Sequence, residues 1–428
     1  MRFNKHYVFK FSLSAINVLL IMAVSFFDST GKVLLLAGIA TNLLIIWELR
    51  RIQPALIMCV FFLSYVLYLL PYYFGDFLIA GHDKYYKIEL YNQALGIHVL
   101  FLTVFYFALN VKINSGFFLI RDLIRPYNNI VIFLLLYAIM SYIVVSIQGD
   151  SVMNSSNSSY LTYMENLEKQ GGSLEYFYIL FICAFFFTSN RMLRNSLLIL
   201  VVIYCYNSVL RGYRIQFIQM VFLTFVLFFD GKFKTSYVIV FALIGFLASE
   251  VIGILKNVGS VSYEELLKLF DNSKGIILTN QTDVFYSSVV FLGLIRDGIY
   301  SLPVRAWSAL GFVLNWIIPS SLIWKEARVP EFAKQFTSLG GGGLISAYFF
   351  VWFGYLGTLG IGCSLAFFLN NVYNKLQQNI YKVVGILLLS TYPRWFAYDP
   401  GNFLFRLPIY LFLLFHILRF INLWMIKR

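Results

Sequence analysis

Seven arginines carry the chemical interest of this sequence: Arg211, Arg214, Arg296, Arg305, Arg328, Arg394 and Arg406. A guanidinium group is a planar fork of donors that matches phosphate oxygens two at a time, and it holds its charge at any physiological pH. Several forks brought to one place make a seat for a phosphate or diphosphate. Six of them also have a simpler reading. Arg211 and Arg214 share the tight turn Arg211-Gly212-Tyr213-Arg214 and can snorkel to lipid phosphate; Arg296 stands beside Asp297; Arg328 lies between Glu326 and Glu331; Arg394 and Arg406 flank Asp399.

Transfer to a hydroxyl is helped by a placed carboxylate that takes the proton. The candidates are Glu250, Asp297, Glu326 and Asp399, with Asp283 and Glu331 as alternatives, and the sequence does not rank them. Glu250 falls inside an apolar run, where a carboxylate either accepts a proton or is matched with a cation. Gly341 and Gly342 belong to the run Gly340 to Gly343, which reads as a hinge, as backbone amides open to phosphate, or as a flexible entry to a helix. The later Gly354, Gly357, Gly360 and Gly362 fit close helix packing. His6, His82, His98 and His416 are scattered, and no zinc spacing, Ser-His-Asp arrangement or nucleotide-cradling loop is present. No metal and no cofactor is expected.

The elements that position these groups are membrane helices. With 60% hydrophobic and 12% charged residues over 428 positions, the composition departs far from that of a soluble domain. The formal charge of +13 then reflects basic loops retained on one side of a membrane, not nucleic-acid binding. Cys59, Cys183, Cys205 and Cys363 lie inside apolar runs without paired spacing, which argues against disulfides. The first apolar run lacks a small-residue cleavage pattern and reads as a retained helix. A span needs roughly 20 apolar residues. The pattern predicts an all-α polytopic membrane protein with about 12 transmembrane helices (10 to 14) in one membrane domain over 1–428, at 8–27, 32–47, 54–74, 92–111, 129–147, 175–189, 195–210, 215–230, 235–255, 344–369, 381–397 and 403–424.

Basic loops alternate along this series, so the positive-inside rule puts both termini in the cytoplasm and all seven arginines outside. The polar stretch Gln148 to Glu175 reads as an external solvated loop. The segment from Lys256 to Gly343 is a large external loop before the last three spans, and its apolar runs Val284 to Ile295 and Ala306 to Ile318 are too short to cross alone. They read as interfacial or re-entrant helices.

The combination of many spans, a large external loop in the C-terminal third, external arginines and the glycine-rich entry Gly340 to Gly343 leading to Phe353-Gly354-Tyr355-Leu356-Gly357 resembles the Wzy-type O-antigen and repeat-unit polymerases. Arg328 and Gly340 come near that family's arginine-to-glycine spacing, and Tyr348 stands where some members have glutamate. The resemblance implies a GT-C-like fold in the bacterial inner membrane and an inverting glycosyltransferase. Its substrate would be an undecaprenyl-diphosphate-linked oligosaccharide, extended at the outer face of that membrane. It further implies a chain-length regulator and a flippase as partners beside membrane lipid, arginines that neutralise the departing diphosphate, and an external carboxylate as base. A lipid-linked oligosaccharide flippase or other secondary transporter is the alternative, and predicts charges lining a path through the spans. An O-antigen ligase would carry a histidine in the large external loop; this chain has none there.

Overall fold

The computed structural model describes residues 5–24, 26–75, 78–79, 85, 87–111, 127–147, 173–245, 276–277, 279–319, 322–337, 342–374, 379–398 and 400–426. In chain order the helices are α1 (Lys5–Val24), α2 (Gly31–Leu49), α3 (Gln53–Leu67), α4 (Leu70–Phe74), α5 (Ile88–Ala108), α6 (Ile130–Val145), α7 (Ser173–Phe186), α8 (Arg191–Leu210) and α9 (Arg214–Thr224). They continue with α10 (Thr235–Gly245), α11 (Asn280–Arg296), α12 (Leu302–Leu314), α13 (Val329–Ala333), α14 (Ile345–Asn374), α15 (Asn379–Ser390), α16 (Tyr392–Ala397) and α17 (Leu407–Ile426). A parallel two-residue ladder, Leu78–Ile79 against Ile276–Ile277, is the sheet among the described residues.

Sequence sets the helix starts. Pro54, Pro71, Pro303 and Pro393 each stand in a first turn, where a missing N–H costs nothing. Asn129 caps α6 by accepting from the Ile132 amide at 3.1 Å, and Asn190 caps α8 by accepting from the Met192 amide at 2.8 Å. Among the described residues, seven helical stretches are long and apolar enough to cross a membrane: His6–Val24, Gly31–Leu49, Gln53–Phe74, Ile88–Ala108, Arg191–Leu210, Ile345–Val372 and Gly401–Met425. The predicted spans at 129–147, 175–189, 215–230 and 235–255 correspond to shorter apolar helices. The chain is thus an all-α, multi-pass membrane protein. Of these seven stretches the most buried is α5, while α1 presents Phe11, Leu19 and Met22 outward as a lipid-facing surface does.

Polar contacts sort the helix ends into two groups. At one end, Lys10 pairs with Glu48 at 2.9 Å and donates to the Leu109 carbonyl, the Gln53 side chain joins α3 to Gly231 and Phe233, and Asn129 donates to Asn422 at 2.8 Å. At the opposite end, Asn92 bonds Tyr73 and the Asp28 carbonyl, Tyr204 reaches the Leu174 carbonyl, and Tyr178 reaches Gln216 and Gln219. With α3 and α4 taken together as one stretch, α1 to α9 therefore alternate in direction. We call the second group of helix ends the arginine end.

Two helices depart from the predicted spans. The span expected over 344–369 is not one rod. Gly354 breaks α14 with φ 63° and ψ −151°, a conformation open to glycine alone. Residues 346 and 358 would stand about 18 Å apart in a straight helix, at ~1.5 Å per residue. Yet the Thr358 hydroxyl donates to the Ser346 carbonyl at 3.3 Å, so the chain doubles back as a helical hairpin. A Cβ on Gly357 would lie 2.2 Å from the Phe349 carbonyl oxygen, which is why the crossing needs glycine. The span expected over 381–397 is likewise interrupted at Thr391, between α15 and α16, and a π-helical stretch Gly401–Arg406 then leads into α17.

Candidate functional site

Side-chain contacts divide the seven arginines. Six of the seven have no carboxylate within 4.0 Å among the described residues. The exception is Arg296, an exposed residue 3.8 Å from Glu89 and 3.9 Å from Asp297. Asp297 in turn accepts from the Tyr85 hydroxyl at 2.9 Å. This corner is a local surface network, separate in its contacts from the groups described next.

Arg305 is spent on structure. From α12 it donates through Nε to the Val351 carbonyl at 2.5 Å and through Nη2 to the Phe350 carbonyl at 2.9 Å. These are among the last carbonyls before the Gly354 break, and a helix that stops inside protein must have them satisfied. Trp352 donates to Ser308 at 3.0 Å and stacks on Phe312, fixing α12 over the short leg of the hairpin. Arg328 is different again: its Nε is buried without a partner. A surface pairing of Arg328 with Glu326 or Glu331 is not formed within 4.0 Å among the described residues, and Glu331 binds Lys334 at 3.3 Å. Glu326 lies close enough to Tyr300 for its charge to act on that phenol, away from the groups described next.

Arg214 comes from one stretch of the chain and Arg394 and Arg406 from another, and they meet around Asn280, Tyr398 and Asn402. Arg214 Nη2 donates to Asn280 Oδ1 at 2.5 Å, and the Tyr398 hydroxyl donates to the same oxygen at 2.5 Å. The guanidinium of Arg394 lies 5.5 Å from the Tyr398 ring centre and 5.9 Å from that of Phe403, with its Nε buried and unpartnered. Burial pushes the Tyr398 phenol up to about 12, against the opposing pull of Arg214 and Arg394. Asp283, in the first turn of α11, acts on the same phenol. Arg211, one turn away, donates to Asn207 Oδ1 at 3.0 Å and leaves its Nε buried without a partner.

Arg406 is only 6% exposed and is held by neutral acceptors: Asn402 Oδ1 at 2.9 Å, Asn315 Oδ1 at 3.1 Å and the Ile318 carbonyl at 3.1 Å. Asn402 then donates to Glu175 Oε2 at 2.6 Å. Phe403, next to Asn402, carries the Arg394 approach at 5.9 Å, which brings this chain up to the Tyr398 group.

The glycine-rich run meets this cluster too. A Cβ on Gly342 would lie 2.6 Å from the Tyr398 Cα and carbonyl oxygen, and 2.6 Å from the Tyr348 hydroxyl, which donates to that carbonyl at 2.5 Å. Gly342 is therefore a close-approach position that sets the Tyr398 backbone. Leu344 N donates to Ser288 at 2.9 Å, pinning the start of the hairpin to α11. Glu250, Gly341 and Asp399 lie outside the described residues.

Sequence reasoning missed Glu175, Asn280, Asn315, Tyr398 and Asn402. Four are uncharged, and Glu175 read only as the boundary of a polar loop. Among the described residues, no group of three or more His, Cys, Asp or Glu side chains stands ready to hold a metal ion. Set against protein-family models, curated proteins and solved structures, the chain matches none.

Proposed function

We propose that this chain is a Wzy-type polymerase, a glycosyltransferase that joins glycan repeat units carried on undecaprenyl diphosphate at the outer face of the bacterial inner membrane. One observation carries the reading. Arg214, Arg394 and Arg406 converge at one end of a membrane bundle with no carboxylate within 4.0 Å among the described residues. Uncompensated guanidinium groups in partly buried surroundings are costly unless an anion completes them. A lipid diphosphate is an anion that a membrane site meets as a matter of course.

In this reading the arginine end faces outward, and the basic residues of the other end, Lys10, Arg50, Arg51, Arg191, Arg194, Lys232 and Lys234, mark the cytoplasmic side. The short apolar helices α6, α7, α9 and α10 complete a count near 12 spans in a GT-C-like arrangement. The acceptor sugar hydroxyl attacks the anomeric carbon of the growing chain, the bond to the lipid diphosphate breaks, and a carboxylate takes the hydroxyl proton. Arg214, Arg394 and Arg406 neutralise the charge that gathers on the departing diphosphate, which needs no metal.

A second reading has its own support. Helices interrupted in mid-course, as at Gly354 and Thr391, are how many transporters build a binding site. A lipid-linked oligosaccharide flippase is thus the alternative. The two readings part in a cell that carries Arg214→Ala, Arg394→Ala or Arg406→Ala. Surface glycan reduced to a single repeat unit supports polymerisation; lipid-linked precursor retained on the cytoplasmic face overturns it in favour of transport.

A further inference from the structure

We infer that Gln219 is a positioning residue: from inside the bundle it sets the spacing of Arg214 and Arg394, the two guanidinium groups beside Tyr398, and so favours a diphosphate over a monophosphate. The inference rests on the polymerase reading above, which makes a lipid diphosphate the ligand of those arginines. Gln219 is 0% exposed and lies in α9, the helix that Arg214 begins. Its Nε2 donates to the Thr391 carbonyl at 3.3 Å. Its Oε1 accepts from the Tyr178 hydroxyl at 3.2 Å, a donor shared with the Gln216 carbonyl. A carbonyl can only accept, so one orientation of the amide satisfies both contacts.

Thr391 is where the chain breaks between α15 and α16. A break inside a membrane bundle frees carbonyls that the protein itself must satisfy. The Leu387 carbonyl accepts from the Thr391 hydroxyl at 2.8 Å, and the Leu388 carbonyl from Trp395 Nε1 at 2.8 Å. The Thr391 carbonyl is met from another helix, by Gln219, and it also accepts from the Arg394 amide at 3.0 Å. One oxygen thus joins the Gln219 side chain to the backbone of Arg394. The short helix α16 ends at Tyr398, whose amide donates to the Arg394 carbonyl at 2.9 Å. Holding the start of α16 against α9 therefore places Arg394 and Tyr398 together relative to Arg214. Phe222, on the same face of α9 as Gln219, packs edge-on against Tyr392 with ring centres 5.3 Å apart and seats the same junction. Spacing matters to a diphosphate because each of its two phosphates can take one guanidinium, and both engage only if the separation fits. A monophosphate is served by either arginine alone.

The test measures binding of undecaprenyl diphosphate and undecaprenyl monophosphate to the full chain in lipid nanodiscs. Gln219→Met keeps the side-chain volume and removes both hydrogen bonds. We expect its Kd for the diphosphate to rise about 10-fold, the scale of one lost charged contact, while its Kd for the monophosphate stays within about twofold. Added to Arg394→Ala, Gln219→Met should cost less than about twofold more, because a residue that acts through Arg394 then has nothing to place. Tyr178→Phe frees one end of the Gln219 side chain at nearly constant volume; it should shift the ratio of the two Kd values about threefold, and it decides the matter if Gln219→Met does not fold. Equal weakening of both lipids, a full effect of Gln219→Met beside Arg394→Ala, an unchanged ratio in the folded variant, or a wild-type protein that binds the two lipids alike overturns the inference alone. A wild-type protein that does not bind undecaprenyl diphosphate overturns the polymerase reading and Gln219 with it.

Discussion

Arg394 and Arg305 should respond to the same substitution in opposite ways, and the difference follows from what each guanidinium touches. Arg394 contributes two cation–π approaches, at 5.5 Å to Tyr398 and 5.9 Å to Phe403, each worth ~0.5 to 1 kcal/mol. Against that stands a buried Nε with no partner, a penalty of ~1 to 3 kcal/mol that truncation removes. Arg394→Ala should therefore leave stability within about 1 kcal/mol of wild type, or raise it. Arg305 donates two hydrogen bonds to helix-end carbonyls, at 2.5 and 2.9 Å. Hydrogen bonds to a charged group are worth ~1.5 to 3 kcal/mol each, so Arg305→Ala should cost about 3 to 6 kcal/mol. Ligand affinity should move the other way. Loss of one charged hydrogen bond from Arg394 to a phosphate oxygen is worth the same ~1.5 to 3 kcal/mol, or about 10- to 150-fold in Kd. Thermal unfolding in detergent and titration with undecaprenyl diphosphate read the two quantities on the same samples. A clear drop in Tm for Arg394→Ala, or an unchanged Kd, would refute the argument that this side chain is held in reserve for an anion.

Gly354→Ala places a Cβ on a residue with φ 63° and ψ −151°, a backbone region that costs ~1 to 3 kcal/mol for other residues, so its Tm and expression should both fall. Gly342→Ala puts a methyl group 2.6 Å from the Tyr398 backbone; the Tyr398 segment must shift off Asn280, and diphosphate binding should weaken more than stability does. Tyr85 and Tyr398 are both pushed up to about 12 from an ordinary 10.0, chiefly by burial. A raised phenol favours the neutral form in the folded state, so its stabilising effect is present below pH 10 and lost as pH rises toward 12. Denaturation followed between pH 8 and 12 should therefore show the fold weakening over the last two units, and Tyr85→Phe with Tyr398→Phe should flatten that decline. A decline that starts below pH 9 would trace to other groups.

The apolar runs made the helices legible because crossing a membrane demands length and composition, which are local properties of sequence. The antiparallel order of successive helices was legible for the same reason, and contacts such as Asn129 with Asn422 at one end and Arg214 with Asn280 at the other agree with it. Roles within the arginine end were not legible, since charge type says nothing of partner. Arg305 could be recognised as a helix clamp only once Gly354 had folded α14 back and exposed the Phe350 and Val351 carbonyls to it. The same glycine had been counted as a packing residue, because a positive φ leaves no mark in sequence beyond the glycine itself. Glu175 and Asn402 lie 227 positions apart and had no reason to be read together. What joins them is the interruption at Thr391 followed by the π-helical stretch Gly401–Arg406, which turns Asn402 and Arg406 inward at the level where α7 begins. Wide turns of this kind are enriched at functional sites because they present side chains that a regular helix would aim elsewhere. The interruptions at Gly354 and Thr391, which the apolar pattern passed over as continuous spans, are thus the features that make one cluster out of scattered arginines.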